Sequence, residues 1–171
     1  CLTGTDRVVE CSEILNADVY INVQGDEPVF EPEDLRKIIK AAKTYPLDVL
    51  NGICVIDDEN LFRNHTIPKA VTRKDGRLLY MSRAAIPTTK DHRFVNAWRQ
   101  VCIYAFPKAS LEAFKRQKVK TSLEQIEDIE ILRLLEIGWD VRMIQLSKQS
   151  FAVDTLEDIA EVERIILERG L

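Results

Sequence analysis

Two hydrophobic periods alternate along the chain, and they predict different elements. Val8–Leu15 recurs at helical spacing behind a polar turn at Gly4, Thr5 and Asp6, with Asp6 placed as its N-cap. Val19–Val23 (V-Y-I-N-V) is a short β-branched run that predicts a buried strand, closed by the polar cluster Gln24-Gly25-Asp26-Glu27-Pro28. Pro32, Glu33 and Asp34 open a helix carried by Leu35, Ile38, Ile39 and Ala42 and stopped by Pro46. Val49–Val55 reads as a strand. Lys69–Arg73 and Arg77–Ser82 flank Lys74-Asp75-Gly76 and read as a hairpin. Gln100–Phe106 is a strand and Pro107–Lys118 a short helix. Ser122 to Gln125 is read as a capping box opening one long helix, with Leu123, Ile126, Ile129 and Leu132 on one side and Gly138 as its stop. Val141–Leu146 is a strand. Thr155–Asp158 starts a last helix whose core face is Leu156, Ile159, Val162 and Ile166.

Strands alternating with helices around one hairpin predict an α/β layered domain with a mostly parallel sheet. No internal repeat or linker interrupts the 171 residues, so one domain spanning 1–171 is expected. A net charge of −4 argues against a broad nucleic-acid surface, and no apolar run approaches the ~18 residues a membrane span needs. Cys1, Cys11, Cys54 and Cys102 form no C-x-x-C pair. Three of them sit beside or within apolar stretches, which predicts reduced, buried thiols and a cytoplasmic protein. The chain opens on Cys1 within C-L-T-G-T-D-R, a turn leading into a helix, and is expected to be a fragment of something longer.

Ligands of open α/β sheets bind beyond the carboxyl ends of strands. Asp26 follows such an end after a glycine, and Asp154 follows Phe151-Ala152-Val153 before a helix. Two carboxylates with water and phosphate oxygens suit Mg²⁺, although an Asx turn and a helix cap account for the same residues. Arg83 ends the hairpin, where it can clamp a carboxylate bidentately or make a surface ion pair. Glu124 and Glu127 share a helix face, with Glu124 also suited to the helix dipole. Gln100 and Tyr104 project to the same side of a strand, as ligand or as core. His65 and His92 stand alone in polar loops, and Lys115–Lys120 reads as a solvated basic helix end.

G-T-D-R at 4–7, V-Q-G-D-E-P at 23–28, Y-M-S-R-A-A-I-P at 80–87, I-Y at 103–104, S-L-E-Q-I-E at 122–127 with L-R at 132–133, and V-D-T-L-E-D at 153–158 occur in this order. As a set they resemble the 3-deoxy-manno-octulosonate cytidylyltransferases, the CMP-KDO synthetases, over essentially the whole chain. The resemblance implies a three-layer, mostly parallel, Rossmann-like sheet of the nucleotide-diphospho-sugar transferase type. It implies transfer of CMP from CTP to a 3-deoxy-2-ulosonic acid sugar, releasing pyrophosphate, for lipopolysaccharide or capsule assembly. It implies Mg²⁺ on Asp26 and Asp154. Gln24, Arg83, Tyr104, Glu124 and Gln125 fall at positions of the acid-sugar site, Gly4, Thr5 and Arg7 near the cytidine, and Gly25 and Gln100 among the substrate-binding positions, with Asp26, Asp154 and Arg83 as the catalytic set. A homodimer is implied too, with 69–106 as an inserted hairpin region that takes part in pairing.

Two departures bear on function. The family's first strand and its I-P-A-R-like phosphate loop have no counterpart here, so an isolated chain is expected to be weak or inactive. The family's His-x-Gly-x-Tyr is replaced by Gln100-Val-Cys-Ile-Tyr104, and Gln cannot take up a proton charge. Activation of another nonulosonic, sialic-type acid therefore stays open. So does a catalytically silent subunit that only dimerises.

Overall fold

The structure, a computed structural model, describes residues 3–25, 28–148, 153 and 156–169. The elements are α1 (Gly4–Ile14), β1 (Val19–Val23), α2 (Pro32–Thr44), β2 (Val49–Ile56), α3 (Glu59–Arg63), β3 (Lys69–Thr72) and β4 (Leu78–Ser82). They continue with β5 (Ala97–Pro107), α4 (Lys108–Arg116), α5 (Ser122–Glu127), α6 (Ile131–Glu136), β6 (Val141–Gln145) and α7 (Leu156–Arg169).

Strand β5 organises the sheet. Its residues Ala97 to Ala105 pair antiparallel with β2 on one side, from Ile56↔Ala97 to Leu50↔Ala105. On its other side β3 takes the first half (Ala70↔Trp98) and β1 the second (Val19↔Pro107 to Val23↔Ile103). Beyond β2 lies β6, and beyond β3 lies β4. Here the expected mostly parallel sheet needs correction. Among the described pairings only β2–β6 is parallel, because the antiparallel β5 is inserted between β1, β2 and β3, which themselves run in one direction.

Helices cover both faces. Leu50, Val101, Ile103 and Ala105 pack against Ile38 and Ala42 of α2. The other face, with Tyr104, Phe106, Val49 and Val141, packs against Leu111 and Phe114 of α4, Leu132 and Leu134 of α6, and Val9 of α1. The alternation of side chains along β5 assigns successive residues to opposite layers.

The hairpin folds back over the second of these faces, burying Leu78 and Met81. Gly76 takes φ +85°, which the turn requires. The hairpin tip then docks on β6: Met143 N donates to Gly76 O at 2.9 Å and Arg142 Nη1 to Asp75 O at 2.8 Å. Arg142 is itself held by Asp48 at 2.7 Å and lies over the Tyr45 ring. At the hairpin base Lys69 is buried. Its ammonium donates to the carbonyls of Asn64, Ile67 and Arg83. Burial, reinforced by the nearby Arg83 guanidinium, pushes Lys69 down to about 8.

Several local expectations change. The N-cap of α1 is Thr3, not Asp6: Asp6 accepts from Thr3 N at 2.9 Å while its own N–H reaches the Thr3 hydroxyl, so G-T-D-R lies inside the first turn. The single long helix after 121 is two short ones. Asp128 adopts φ +52°, which breaks the helix, and the capping box is Thr121 with Glu124 rather than Ser122 with Gln125. Ile126, assigned to the core face, is 78% exposed in consequence. In α7, Val162 and Ile165 are buried while Ile159 is 40% exposed. Helix α3, capped by Asp58, had no sequence expectation because its five residues are too short for a readable period. The thiols differ from expectation in burial alone: Cys54 is buried, Cys102 half-buried and Cys11 exposed, and none of these three forms a disulfide. No helix among the described residues is long and apolar enough to cross a membrane.

A β-bulge at Asn51/Gly52 sets the register of β2 on β5. Asn51 Nδ2 plugs it, donating to Val101 O at 3.0 Å and Ile103 O at 3.1 Å. At Gly52 a Cβ would stand 2.4 Å from Leu146 Cδ1 and 3.2 Å from Val101 O. Gly52→Ala is therefore expected to destabilise the chain by about 1–3 kcal/mol, read by urea or thermal unfolding. An unchanged midpoint would show that β2 does not pack this tightly.

Candidate active site

The strand β1 and the helix before it enclose a cavity of about 810 Å³. Its lining includes Gly4 and Arg7 from α1, Asn22 from β1, and Gln24 and Gly25 just past the strand end. Four of the residues expected near substrate thus meet in one place although about 20 residues separate the two segments. Gln24 is anchored through its N–H to Cys102 O at 3.2 Å. Its side-chain amide crosses to Gly4, where a Cβ would sit 3.0 Å from Gln24 Nε2. Glycine at position 4 therefore permits the two walls to approach. Thr5 is buried behind this wall.

A second group lies on β5. Gln100 and Tyr104 do share one side of the strand, and Gln100 Nε2 donates to Tyr104 Oη at 3.1 Å and to Asn51 Oδ1 at 2.9 Å. Tyr104 also stacks on Phe106 with ring centroids 5.6 Å apart. Asn51 completes this buried polar chain. Nothing in its sequence context, an apolar strand, distinguishes it except that a lone amide there needs partners.

The segment 124–133 carries a third group, in which each acidic side chain serves a different neighbour. Glu124 has no solvent exposure. It accepts a two-point hydrogen bond from Arg133, Nε at 2.6 Å and Nη2 at 2.5 Å, and a third from Thr121 N at 3.1 Å. The expected role of Glu124 against sugar hydroxyls is therefore corrected: both of its oxygens already accept from Arg133, out of solvent reach. Gln125, beside it, is exposed. Glu127 accepts from Ser82 Oγ at 2.6 Å, Arg83 N at 2.9 Å and Tyr80 Oη at 3.1 Å. Burial pushes the Glu127 carboxyl up, but these bonds and the Arg83 charge together outweigh it and hold it below its ordinary 4.5. Glu130 reaches the start of α1, accepting from Gly4 N at 3.0 Å and from Thr5 N at 2.7 Å.

Arg83 sits between these groups. Nε donates to Glu127 O at 2.7 Å, Nη1 to Thr66 O at 2.8 Å and His65 O at 3.5 Å, and Nη2 to Asp128 O at 3.2 Å. Of five guanidinium N–H groups, one on Nη2 is left beyond these bonds, too few for the bidentate clamp expected from the sequence. The surface ion pair weighed against it is also replaced, since the side-chain partners are carbonyls. In the basic stretch, Lys115 pairs with Glu13 and Lys120 with Asp128.

Asp26 and Asp154 lie outside the described residues. Their neighbours do not: Val29 and Val153 belong to one apolar cluster with Val162, Ile165 and Ile166. Upstream of Asp154, Ser147 donates through N and Oγ to the buried Asp34 carboxylate at 2.9 and 2.6 Å.

A family model described as cytidylyltransferase matches residues 1–150. The 3-deoxy-manno-octulosonate cytidylyltransferase of Acidobacterium capsulatum is 38% identical over 170 residues, covering 99% of this chain and 69% of that protein. The enzyme of the same name from Koribacter versatilis is 37% identical, covering 98% of this chain and 64% of its own length. The chain thus spans about two thirds of the length of these relatives. Among solved structures, a CMP:2-keto-3-deoxy-manno-octonic acid synthetase complexed with CTP superposes with a TM-score of 0.90 at 28% identity, covering 99% of this chain and 70% of that one. An apo UDP-glucose pyrophosphorylase, at 14% identity, covers 98% of this chain and 61% of its own with a TM-score of 0.66, a likeness of fold alone.

The depressed Glu127 carboxyl has a pH signature. A carboxylate held below its unfolded value adds stability that is complete above that value and fades as pH falls through the folded one. The melting-temperature gap between wild type and Glu127→Gln should be full above the ordinary carboxyl value of 4.5 and shrink as the pH falls below it. A gap of equal size on both sides of that value would show that Glu127 is not ionised in this network.

Proposed function

Since the chain belongs to the cytidylyltransferase family, of the CMP-KDO synthetase type, and has the nucleotide-diphospho-sugar transferase fold, we propose that it activates a 3-deoxy-2-ulosonic acid sugar with CTP. The products are the CMP-sugar and pyrophosphate. The cavity between α1 and β1 receives the nucleotide against the wall of Gly4 and Arg7, and Gln24 on the facing wall borders the acid sugar. The acid sugar lies towards the Gln100–Tyr104 side of β5, and the remaining Nη2 hydrogen of Arg83 faces its carboxylate. Its anomeric hydroxyl attacks the α-phosphate, so the chain's task is alignment and charge stabilisation rather than covalent catalysis.

Asp26 and Asp154 would hold Mg²⁺. Two carboxylates are a hard-oxygen donor set of the kind that ion takes from proteins. The observation that carries this reading is the shared apolar cluster: Val29 follows Asp26 by three positions, Val153 precedes Asp154, and the two valines belong to the same packing unit. When bound, the ion supplies charge neutralisation at the phosphates. Gln24 and Ser147, each tied down by backbone hydrogen bonds, fix the start of the two segments that carry the aspartates.

The proposal extends to a cytoplasmic homodimer, feeding lipopolysaccharide or capsule assembly, in which the 69–106 region takes part in pairing. Leu79 of β4 is 55% exposed on the hairpin and offers an apolar contact. Sedimentation should give a dimer for wild type and a monomer for Leu79→Glu. A monomeric wild type would end this part of the proposal.

Pyrophosphate release with CTP, Mg²⁺ and a panel of acid sugars tests activity and substrate together. Turnover with KDO is expected to be slow for this chain on its own, with Asp26→Asn and Asp154→Asn each slower still by about 100-fold or more. Equal use of UTP or GTP would overturn the nucleotide assignment. Preference for a sialic-type acid would favour the alternative suggested by Gln100, and no turnover with any sugar would favour a silent subunit.

A further inference from the structure

We propose that Glu130 is a positioning residue for the nucleotide cavity, acting through the first turn of α1. The inference rests on the reading of that cavity as the CTP site.

A helix begins with backbone N–H groups that have no partner within the helix. In α1 two of these, Gly4 N and Thr5 N, both point at the Glu130 carboxylate, and the Thr5 hydroxyl joins them at 2.5 Å. Three donors converge on one anion at the positive end of the helix dipole, where a negative charge is stabilising. The contact spans about 125 positions of sequence. It joins the α5–α6 turn to the segment that forms one wall of the cavity.

The middle and end of that wall are held by other contacts, Val9 in the core, Glu13 on Lys115 and Leu15 O on the Tyr20 hydroxyl; the backbone of its first turn is held by Glu130. Within α1 only Thr5 and Val9 are buried, whereas Gly4, Arg7, Val8, Cys11 and Leu15 face the cavity. Glu130 itself stands on a firm base. Three residues further on, Arg133 is 2% exposed, bonded at two points to Glu124, stacked over Phe114 at 3.8 Å and 3.7 Å from Asp6 of α1. Glu130 is the link between that buried pair and the first-turn backbone of α1, so its carboxylate sets where Gly4 stands relative to Gln24. A Cβ at Gly4 would lie 3.0 Å from Gln24 Nε2 and 3.5 Å from Glu130 Oε1, so wall, strand end and carboxylate meet at one point.

The test measures CTP affinity by titration calorimetry, with the melting temperature recorded for every variant. Glu130→Ala should weaken CTP binding by about tenfold or more, the scale of a lost hydrogen bond to a charged group. Glu130→Gln keeps one acceptor oxygen and should recover part of that loss. Phe62→Leu serves as a stability control: Phe62 is buried against Ile56 and Ala97, in a cluster that shares no residue with the cavity. It should lower the melting temperature and leave CTP affinity intact. CTP affinity unchanged in Glu130→Ala would overturn the inference. So would affinity falling in step with melting temperature in both Glu130→Ala and Phe62→Leu, which is the mark of a purely structural role. A wild-type chain that does not bind CTP would instead overturn the function proposed for the cavity, and this inference with it, before any substitution is compared.

Discussion

The ion pair of Glu124 and Arg133 is the contact on which the site's geometry depends. Both side chains are withdrawn from water, 0% and 2% exposed. Removing two charges from solvent is costly, and only close, two-point geometry with further partners offsets it. Here Thr121 N and the Phe114 ring supply those partners. Breaking such a pair by deleting one member typically costs about 3–5 kcal/mol, because the other charge is left stranded. The pair also fixes the short α5–α6 segment so that Glu127 points to the hairpin and Glu130 to α1. Hairpin base and cavity wall are therefore referred to one frame.

The second constraint is the length of β5. Eleven residues long, it serves three partner strands, with β1 and β3 placed end to end along one of its edges. The end of β1, where Gln24 and Gly25 enter the cavity, is thereby set by the same strand that carries Gln100 and Tyr104. The bulge at Asn51/Gly52 lets Asn51 reach both the β5 carbonyls and the Gln100 amide. A polar chain buried this way is stable only when every member is satisfied, which makes it a rigid reference for whatever binds nearby.

The hairpin shows how charge is used differently at its two ends. At the base, Lys69 and Arg83 direct their hydrogen bonds to carbonyls of the loops around them. At the tip, Arg142 and Asp48 join the turn to β6. Neither arrangement is a conventional surface ion pair, whose contribution would be small. Arg83 in particular acts mainly as a brace between 65–66 and 127–128.

The sequence by itself determined the elements whose signals are local: β1, α2, the Asp75-Gly76 hairpin and the strand character of β5 follow from alternation, proline placement and turn chemistry. It also carried the family motifs, and with them Gly4, Arg7, Gln24 and Gly25, which the fold brings to one cavity. Only the tertiary structure decided the rest, because the deciding partners are remote in sequence. The helix breaks at Asp128 although its apolar spacing runs on through Ile129 and Leu132. The break aims Glu127 and Glu130 at partners about 45 and 125 positions away. Arg83 read as a carboxylate clamp or a surface ion pair because its acceptors are backbone carbonyls, which no residue identity announces. Likewise the antiparallel insertion of β5 depends on which strand edges meet, and an apolar run has the same composition whichever way its neighbour points.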